Sequence, residues 1–410
     1  MTETTDVLII GAGPSGTVAG ALLCNKGHDC IVLERDTFPR FSIGESLLPQ
    51  CMEFIEEAGM LDAVRDMGFQ TKDGAVFARG GESSAFEFAD RFSQDAWDTT
   101  YEVVRAAFDN VLAVSAQDQG VDIRFGQEIT SAAPATDRVS VVARDKDGAE
   151  HHYQAKFLLD ASGFGRVLPR LLDLNTPSDF PSRQSLFTHI EDNIDHVGYD
   201  RNKILVTVNS ERADVWYWLI PFSNGRSSLG AVATVEYLDQ LSGAPLDKLQ
   251  ALINADPGLA DILDNAVYDT PVNQISGYAA NVSRLWGDGY ALLGNAGEFL
   301  DPIFSSGVTI AMKSASLAAG ILDRQLNGAT VDWENEFARP LAKGVAVFKV
   351  FVESWYDGSL HDVFFSKFKD AKIKQMICSI LAGYVWDQSN PYVTRARPRL
   401  DVLAALCRNR

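Results

Sequence analysis

Val7-Leu8-Ile9-Ile10-Gly11-Ala12-Gly13-Pro14-Ser15-Gly16 decides the fold. Four apolar residues ending at a glycine predict a short strand buried on both faces of a parallel sheet. The run Ser15 to Asn25, rich in Ala, Leu and Gly, has helical spacing, and Cys30-Ile31-Val32-Leu33 predicts a second strand closing at Glu34. The three together make a βαβ unit. Gly11, Gly13 and Gly16 fit GxGxxG, in which missing Cβ atoms let the backbone approach a pyrophosphate at the positive end of the helix. Glu34 follows about twenty residues later, where an acid binds the ribose hydroxyls of an adenine dinucleotide. This fingerprint serves NAD and FAD alike.

Working outward, the chain has 410 residues, 46% hydrophobic and 22% charged, which excludes disordered and fibrous classes. Its 36 Lys and Arg against 55 Asp and Glu leave a net charge of −19, which argues against a nucleic-acid partner. Cys24, Cys30, Cys51, Cys378 and Cys407 are odd in number and lack a CxxC pair, so free thiols in a reducing cytosol are expected. No apolar run approaches the ~18 residues of a membrane span. Val7 to Ile10 follow acidic residues and do not form a signal peptide, so the expectation is a soluble cytoplasmic protein with no membrane partner. The histidines show no ligand spacing, and no metal is expected.

Two further strand-and-turn units, Phe157 to Gly163 and Tyr290 to Ala296, repeat the opening pattern, and the second leads to a helix predicted over Thr309 to Leu326. Val139 to Val142, Ile204 to Val208 and Ser228 to Ala233 alternate and suggest antiparallel sheet. Interleaving of this kind implies a discontinuous domain. Residues 1–75, 100–170 and 275–330 are expected to form a Rossmann-like α/β cofactor domain; 76–99 and 171–274 a substrate domain of antiparallel β-sheet; and 331–410 a helical C-terminal cap. Trp286 and Trp333 are read as packing residues, and His189 as a hydrogen-bonded core histidine.

Val104-Arg105-Ala106-Ala107-Phe108-Asp109, Asp160-Ala161-Ser162-Gly163 and the run from Gly294-Asn295 to Asp301-Pro302 resemble the later FAD-contacting motifs of the flavoprotein monooxygenase class, across most of residues 1–330. The resemblance implies a p-hydroxybenzoate hydroxylase-like fold. It also implies FAD contacts at Gly11, Gly13, Gly16, Glu34, Arg35, Arg40, Ser46, Arg105, Asp160, Asn295 and Asp301. Asn295 departs from the family's aspartate, though an amide still hydrogen-bonds a ribityl hydroxyl.

Two features narrow the resemblance to flavin-dependent halogenases. Trp216-Tyr217-Trp218-Leu219-Ile220-Pro221 fits their WxWxIP signature, and Lys72, in Gly68 to Gly74, falls where that family places its reactive lysine. The stretch Phe38 to Pro49, with Gly44-Glu45-Ser46, is similar to the flavin loop of the branch acting on phenols and pyrroles. In such enzymes reduced flavin, oxygen and halide yield hypohalous acid. A lysine then donates to it or forms a haloamine, a role that a permanently protonated guanidinium fills poorly. Trp216 and Trp218, two apart on a strand, face one side and wall the flavin from the substrate, unless they are ordinary core aromatics.

Backbone N–H groups of Ser306 and Gly307, at a helix start, form a nest for chloride or bromide. Phe304 stands where tryptophan halogenases carry a glutamate that assists an indole carbon, so it is assigned to the substrate pocket and an electron-rich phenol or pyrrole is expected. No second GxGxxG is visible, which points to reduced FAD from a separate flavin reductase. Arg395, Arg397, Arg399, Arg408 and Arg410 form either a solvated basic terminus or a docking patch for an acidic carrier protein bearing the substrate. The rivals are an aromatic hydroxylase or reductase of the same fold, and a non-catalytic flavin-binding partner protein.

Overall fold

In the computed structural model, residues 2–136, 138–178, 180–277, 280–367 and 370–408 are described. Val7 to Ile10 are fully enclosed and form the inner end of the strand Thr2–Ile10, whose polar outer half runs alongside His152 to Ala155. It lies between Cys30–Glu34 and Glu150–Asp160, parallel to both. Asp122–Phe125 and Tyr290–Leu292 extend the parallel sheet outward. The helix Pro14–Cys24 is apolar nearly all round because it is covered on both sides, by this sheet and by the helix Ser306–Leu326.

The second sheet orders Asn273–Ser276, Arg183–Glu191, Arg226–Thr234, Trp216–Pro221, Lys203–Val208, Gly74–Arg79 and Glu82–Glu87. It is not antiparallel throughout, as the sequence suggested: Gly74–Arg79 runs parallel to Lys203–Val208, pairing Phe77 with Val206. That strand follows directly on Gln70–Lys72, outside this sheet, so no hairpin constrains its direction. Val139–Asp145 is antiparallel as expected, and it joins the first sheet beside Glu150–Asp160.

One face of the second sheet carries Phe77, Trp216 and Trp218 into a continuous apolar core with Val7 and Ile9 of the first. The other face, with Leu205, Tyr217 and Leu219, is covered by the helix Pro245–Asn254. Beyond Trp333 the chain is helical, with Arg339–Tyr356, Ser359–Phe364, Ala371–Leu381 and Ala396–Arg408. Phe351, Trp355 and Phe364 turn inward against the sheet, with Phe77 and Phe364 ring centroids 4.5 Å apart. Trp333 stacks on Phe157 at 4.9 Å, and Trp286 donates its indole N–H to Glu334. The five cysteines are unbonded, and no helix among the described residues is long and apolar enough to cross a membrane.

Candidate active site

A cavity of about 320 Å³ opens where the parallel sheet meets the second sheet. Gly11 forms its floor at φ +92°, and a Cβ there would come 2.8 Å from the Ala161 carbonyl oxygen. Gly16 is tighter: its Cβ would reach 1.9 Å from the Gly11 oxygen. The Gly11-to-Gly16 turn is therefore compressed against Ala161, while Gly13 faces open space beside Arg40. Glu34 accepts the N–H groups of Ala12 (2.9 Å) and Asp36 (3.0 Å), fixing its carboxylate at the cavity edge.

Two arginines line the wall. Arg105 makes a bidentate pair with buried Asp109 (2.8 and 3.0 Å) and donates to the Ile43 carbonyl at 2.6 Å. Arg40 shares the same aspartate at 3.2 Å. One carboxylate thus holds two guanidiniums against the loop that carries Gly44, Glu45 and Ser46. Arg35 stands exposed at the mouth.

Opposite, Asn295 lines the cavity with its amide oxygen buried and without a hydrogen-bond partner. Such an atom awaits a donor. Its loop is clamped by Arg166, which donates to the Asn295, Gly297 and Asn281 carbonyls. The helix Ser306–Leu326 begins three residues before the sequence placed it, behind a left-handed Ser305 (φ +55°), so Ser306 and Gly307 present first-turn N–H groups to the cavity. The remaining wall is Trp216 and Trp218, ring centroids 5.9 Å apart. Trp218 donates its indole N–H to Ser228, and Trp216 donates to the Tyr356 hydroxyl.

Several residues assigned from sequence lie behind this surface. Asp160 accepts the Ser162 and Leu168 N–H groups and so shapes the turn under the cavity. Asp301 caps Ile303 and accepts the Tyr356 hydroxyl at 2.9 Å, and burial pushes its carboxyl up to about 6. Phe304 faces away, edge-on to Phe351 and Trp355, which places it in the aromatic packing and outside the cavity lining. Of the C-terminal arginines, Arg397 pairs with Glu353 and Asp357 and Arg408 with Asp362, while Arg410 lies outside the described residues.

Lys72 is also one layer back. It is fully buried, and its ammonium donates to the Ser46 hydroxyl at 2.7 Å and the Leu47 carbonyl at 2.8 Å; Ser46 itself lines the cavity. Burial lowers the Lys72 pKa, with the Glu102 carboxylate opposing that shift. His189 is hydrogen-bonded, as the sequence reading had it, whereas Glu102 and Glu45 were given no role there. Glu45 bonds His189 at 2.6 Å beside the cavity, and Glu102 is buried next to Ser46. Their signal was weak: an acid in the Gly44-Glu45-Ser46 loop and another just before the Arg105 helix.

Residues 4–330 match the FAD binding domain family. Among solved structures, the chain superposes on a flavoprotein/dehydrogenase from Cytophaga hutchinsonii with a TM-score of 0.96 and 44% identity, covering 99% of each chain. It is 30% identical over 330 residues to a tryptophan 2-halogenase of Chondromyces crocatus, covering 77% of this chain and 60% of that one. It is 29% identical over 342 residues to a 1H-pyrrole-2-carbonyl-(peptidyl-carrier protein) brominase of Pseudoalteromonas luteoviolacea, covering 82% and 80% of the two chains. The chain belongs to the FAD binding domain family and, within it, stands among relatives that are flavin-dependent halogenases.

Proposed function

We propose that this protein is a flavin-dependent halogenase acting on an electron-rich aromatic, a phenol or pyrrole, free or tethered to a carrier protein. The observation that carries the reading is the pairing of the Trp216 and Trp218 wall with a buried lysine one hydroxyl behind the same cavity. Similarity to a carrier-protein pyrrole brominase supports the substrate class. The residues present fit FAD. The compressed glycine turn lets the backbone approach a pyrophosphate closely, Glu34 stands at the ribose position, and the unpartnered Asn295 oxygen accepts a ribityl hydroxyl. Arg40 and Arg105 bring positive charge to the same anion.

When bound and reduced, FAD supplies the electrons with which oxygen converts halide to hypohalous acid; a separate reductase delivers the reduced flavin. The chain's own contribution is positional. Ser306 and Gly307 hold the halide through N–H groups at a helix start. Trp216 and Trp218 keep the aromatic substrate off the flavin, so that halogen rather than oxygen is transferred. Lys72 polarises hypohalous acid or takes its halogen, and buried Ser46 orients the ammonium toward the cavity side.

The test is incubation with reduced FAD, oxygen, chloride or bromide and a panel of free and carrier-bound phenols and pyrroles, read by mass spectrometry. Halogenated product is expected; hydroxylated product, or no halide requirement, overturns the reading. A dehydrogenase or reductase is the second reading, favoured by the 44% identity to a flavoprotein/dehydrogenase. It requires a substrate that changes by two hydrogens in the absence of halide.

A further inference from the structure

The short strand Thr100–Glu102 pairs with Gln70–Lys72, setting Glu102 opposite Gln70 and so two positions from Lys72 on the same face of the ribbon. Lys72 and Glu102 are each 1% exposed. No direct hydrogen bond joins them, and the Ser46 hydroxyl reaches the Glu102 carboxylate only at a geometry short of a well-formed hydrogen bond. The Ser46 hydroxyl lies between: it accepts from the Lys72 ammonium and sits close enough to steady the charged form of Glu102. An ionised carboxylate without a well-formed hydrogen bond is costly in such a place, and so is an ammonium with two of its three N–H groups satisfied. Both costs vanish if one proton moves from the lysine to the glutamate.

We propose that Glu102 is a positioning residue that exchanges a proton with Lys72 through the Ser46 hydroxyl, converting a buried ion pair into a neutral amine and a neutral acid before halogen transfer. This rests on the reading that Lys72 meets the oxidant. The proton balance is closed: Lys72 releases one proton to Ser46, and Ser46 passes its own to Glu102. The neutral amine has a lone pair for hypohalous acid; N–halogen forms, halogen–oxygen breaks, and the amine proton leaves with hydroxide as water. Transfer to the aromatic carbon then breaks N–halogen, and the ring proton returns to the nitrogen.

The electrostatics agree with the geometry. Burial pushes the Glu102 carboxyl up to about 7, against the pull of the Lys72 ammonium, while burial lowers the lysine. The two affinities are driven toward one another. The other groups facing the pair are few. Glu45 repels charge on Glu102 but is itself engaged with His189; the buried Cys51 thiol faces Lys72; and Tyr199, with its hydroxyl buried and unpartnered, feels Glu102 from the far side.

The test is the titration of Lys72 in the FAD-loaded protein, followed by NMR of 13Cε-labelled lysine and assigned with Lys72→Met. Alongside it, infrared difference spectra follow the carbonyl stretch of a protonated buried carboxylic acid. Glu102→Gln should lower the apparent Lys72 pKa by about one unit and remove the carbonyl band. It should also move the acidic limb of the halogenation pH profile up, because the internal acceptor is gone and the amine must lose its proton to solvent. Glu102→Asp should restore band and limb. If Glu102→Gln does not fold, the wild-type band still decides, because proton exchange requires it to titrate together with the Lys72 signal. A Lys72 titration unchanged in Glu102→Gln, or a uniform loss of rate with the pH limb in place, overturns the proposal. A coupled titration in a protein that halogenates nothing upholds the proton exchange and removes the halogenase reading instead.

Discussion

The two sides of Trp216 differ in kind. Toward the cavity, its indole meets a surface of backbone N–H groups, two arginines on one aspartate, and an amide oxygen with no partner. Behind it, Phe77, Phe304, Phe351, Trp355 and Phe364 pack ring against ring, and His361 is enclosed with both nitrogens unpartnered and its pKa held down to about 4 by burial. The first side is polar, combining main-chain N–H groups with charged and amide side chains. The second is dry, so each charge or polar atom in it is expensive and its protonation state is set by neighbours. Lys72 is buried behind the Gly44-to-Ser46 loop of the first side, with its ammonium on Ser46 and Leu47.

The sharpest way to break this contrast is at Lys72. Lys72→Met keeps most of the buried volume and should reduce halogenated product at least ~100-fold while FAD content and oxygen consumption stay near wild type. Lys72→Ala should do the same at an added cost of about 2–4 kcal/mol for the void, read by denaturant unfolding. Product at a wild-type rate in Lys72→Met would place the chemistry elsewhere.

The cavity side makes a prediction of the next size. Gly13→Val adds a side chain into open space, its Cβ 3.7 Å from the Arg40 guanidinium, so the protein should fold with its apo melting temperature nearly unchanged and copurify without FAD. Gly16→Ala, by driving a Cβ into the Gly11 oxygen, should lose both fold stability and FAD. Equal stability loss in the two variants would mean that the glycine turn serves packing alone.

A smaller effect belongs to Asp301, between the two sides. Its carboxyl is raised to about 6 by burial, so the folded protein binds that proton more tightly than the unfolded chain does. Its contribution to stability therefore falls as pH rises from about 4 to about 6, by on the order of 2 kcal/mol. Asp301→Asn cannot titrate, and the stability difference between wild type and variant should shift across that window. A difference independent of pH would show that Asp301 stays charged on its Tyr356 hydroxyl.

The smallest effect is expected at the surface. Arg395 and Arg399 are exposed, whereas Arg397 is committed to Glu353 and Asp357. Arg395→Glu with Arg399→Glu should weaken turnover of a carrier-bound substrate several-fold at low salt and leave a free phenol untouched. Equal loss on both would remove the carrier-docking idea.

These contrasts also mark what a sequence conveys. Val7–Ile10, Cys30–Leu33 and Phe157–Asp160 were legible because strands buried on both faces read as unbroken apolar runs. Gly74–Arg79 beside Lys203–Val208 was not, since pairing across some 130 residues leaves no local trace. The helix boundary was placed three residues late, at Thr309, because the first turn, Ser-Gly-Val, is poor helix sequence until Thr309 sets the apolar period. In the site, glycines and arginines in motifs announced the cavity. The layer behind it did not announce itself, because a glutamate such as Glu102 is buried by partners brought from Lys72 and Ser46, and Arg397 is neutralised by an acid 44 residues earlier.

The order of strands in the parallel sheet has a further consequence, for synthesis on the ribosome. Thr2–Ile10 gains Cys30–Glu34 as a neighbour early, but its other edge is covered only by Glu150–Asp160, and that strand in turn by Tyr290–Leu292. At roughly 5–20 residues per second, the apolar edge Val7–Ile10 waits on the order of ten seconds for its second partner. An unpaired apolar strand of this kind invites association with other nascent chains. Ala161, whose carbonyl closes on Gly11, emerges in the same interval, so the cofactor loop cannot take shape until well over a third of the chain has been made. Slow translation through residues 35–150 should therefore lower the yield of flavin-loaded protein more than slow translation through the C-terminal helices.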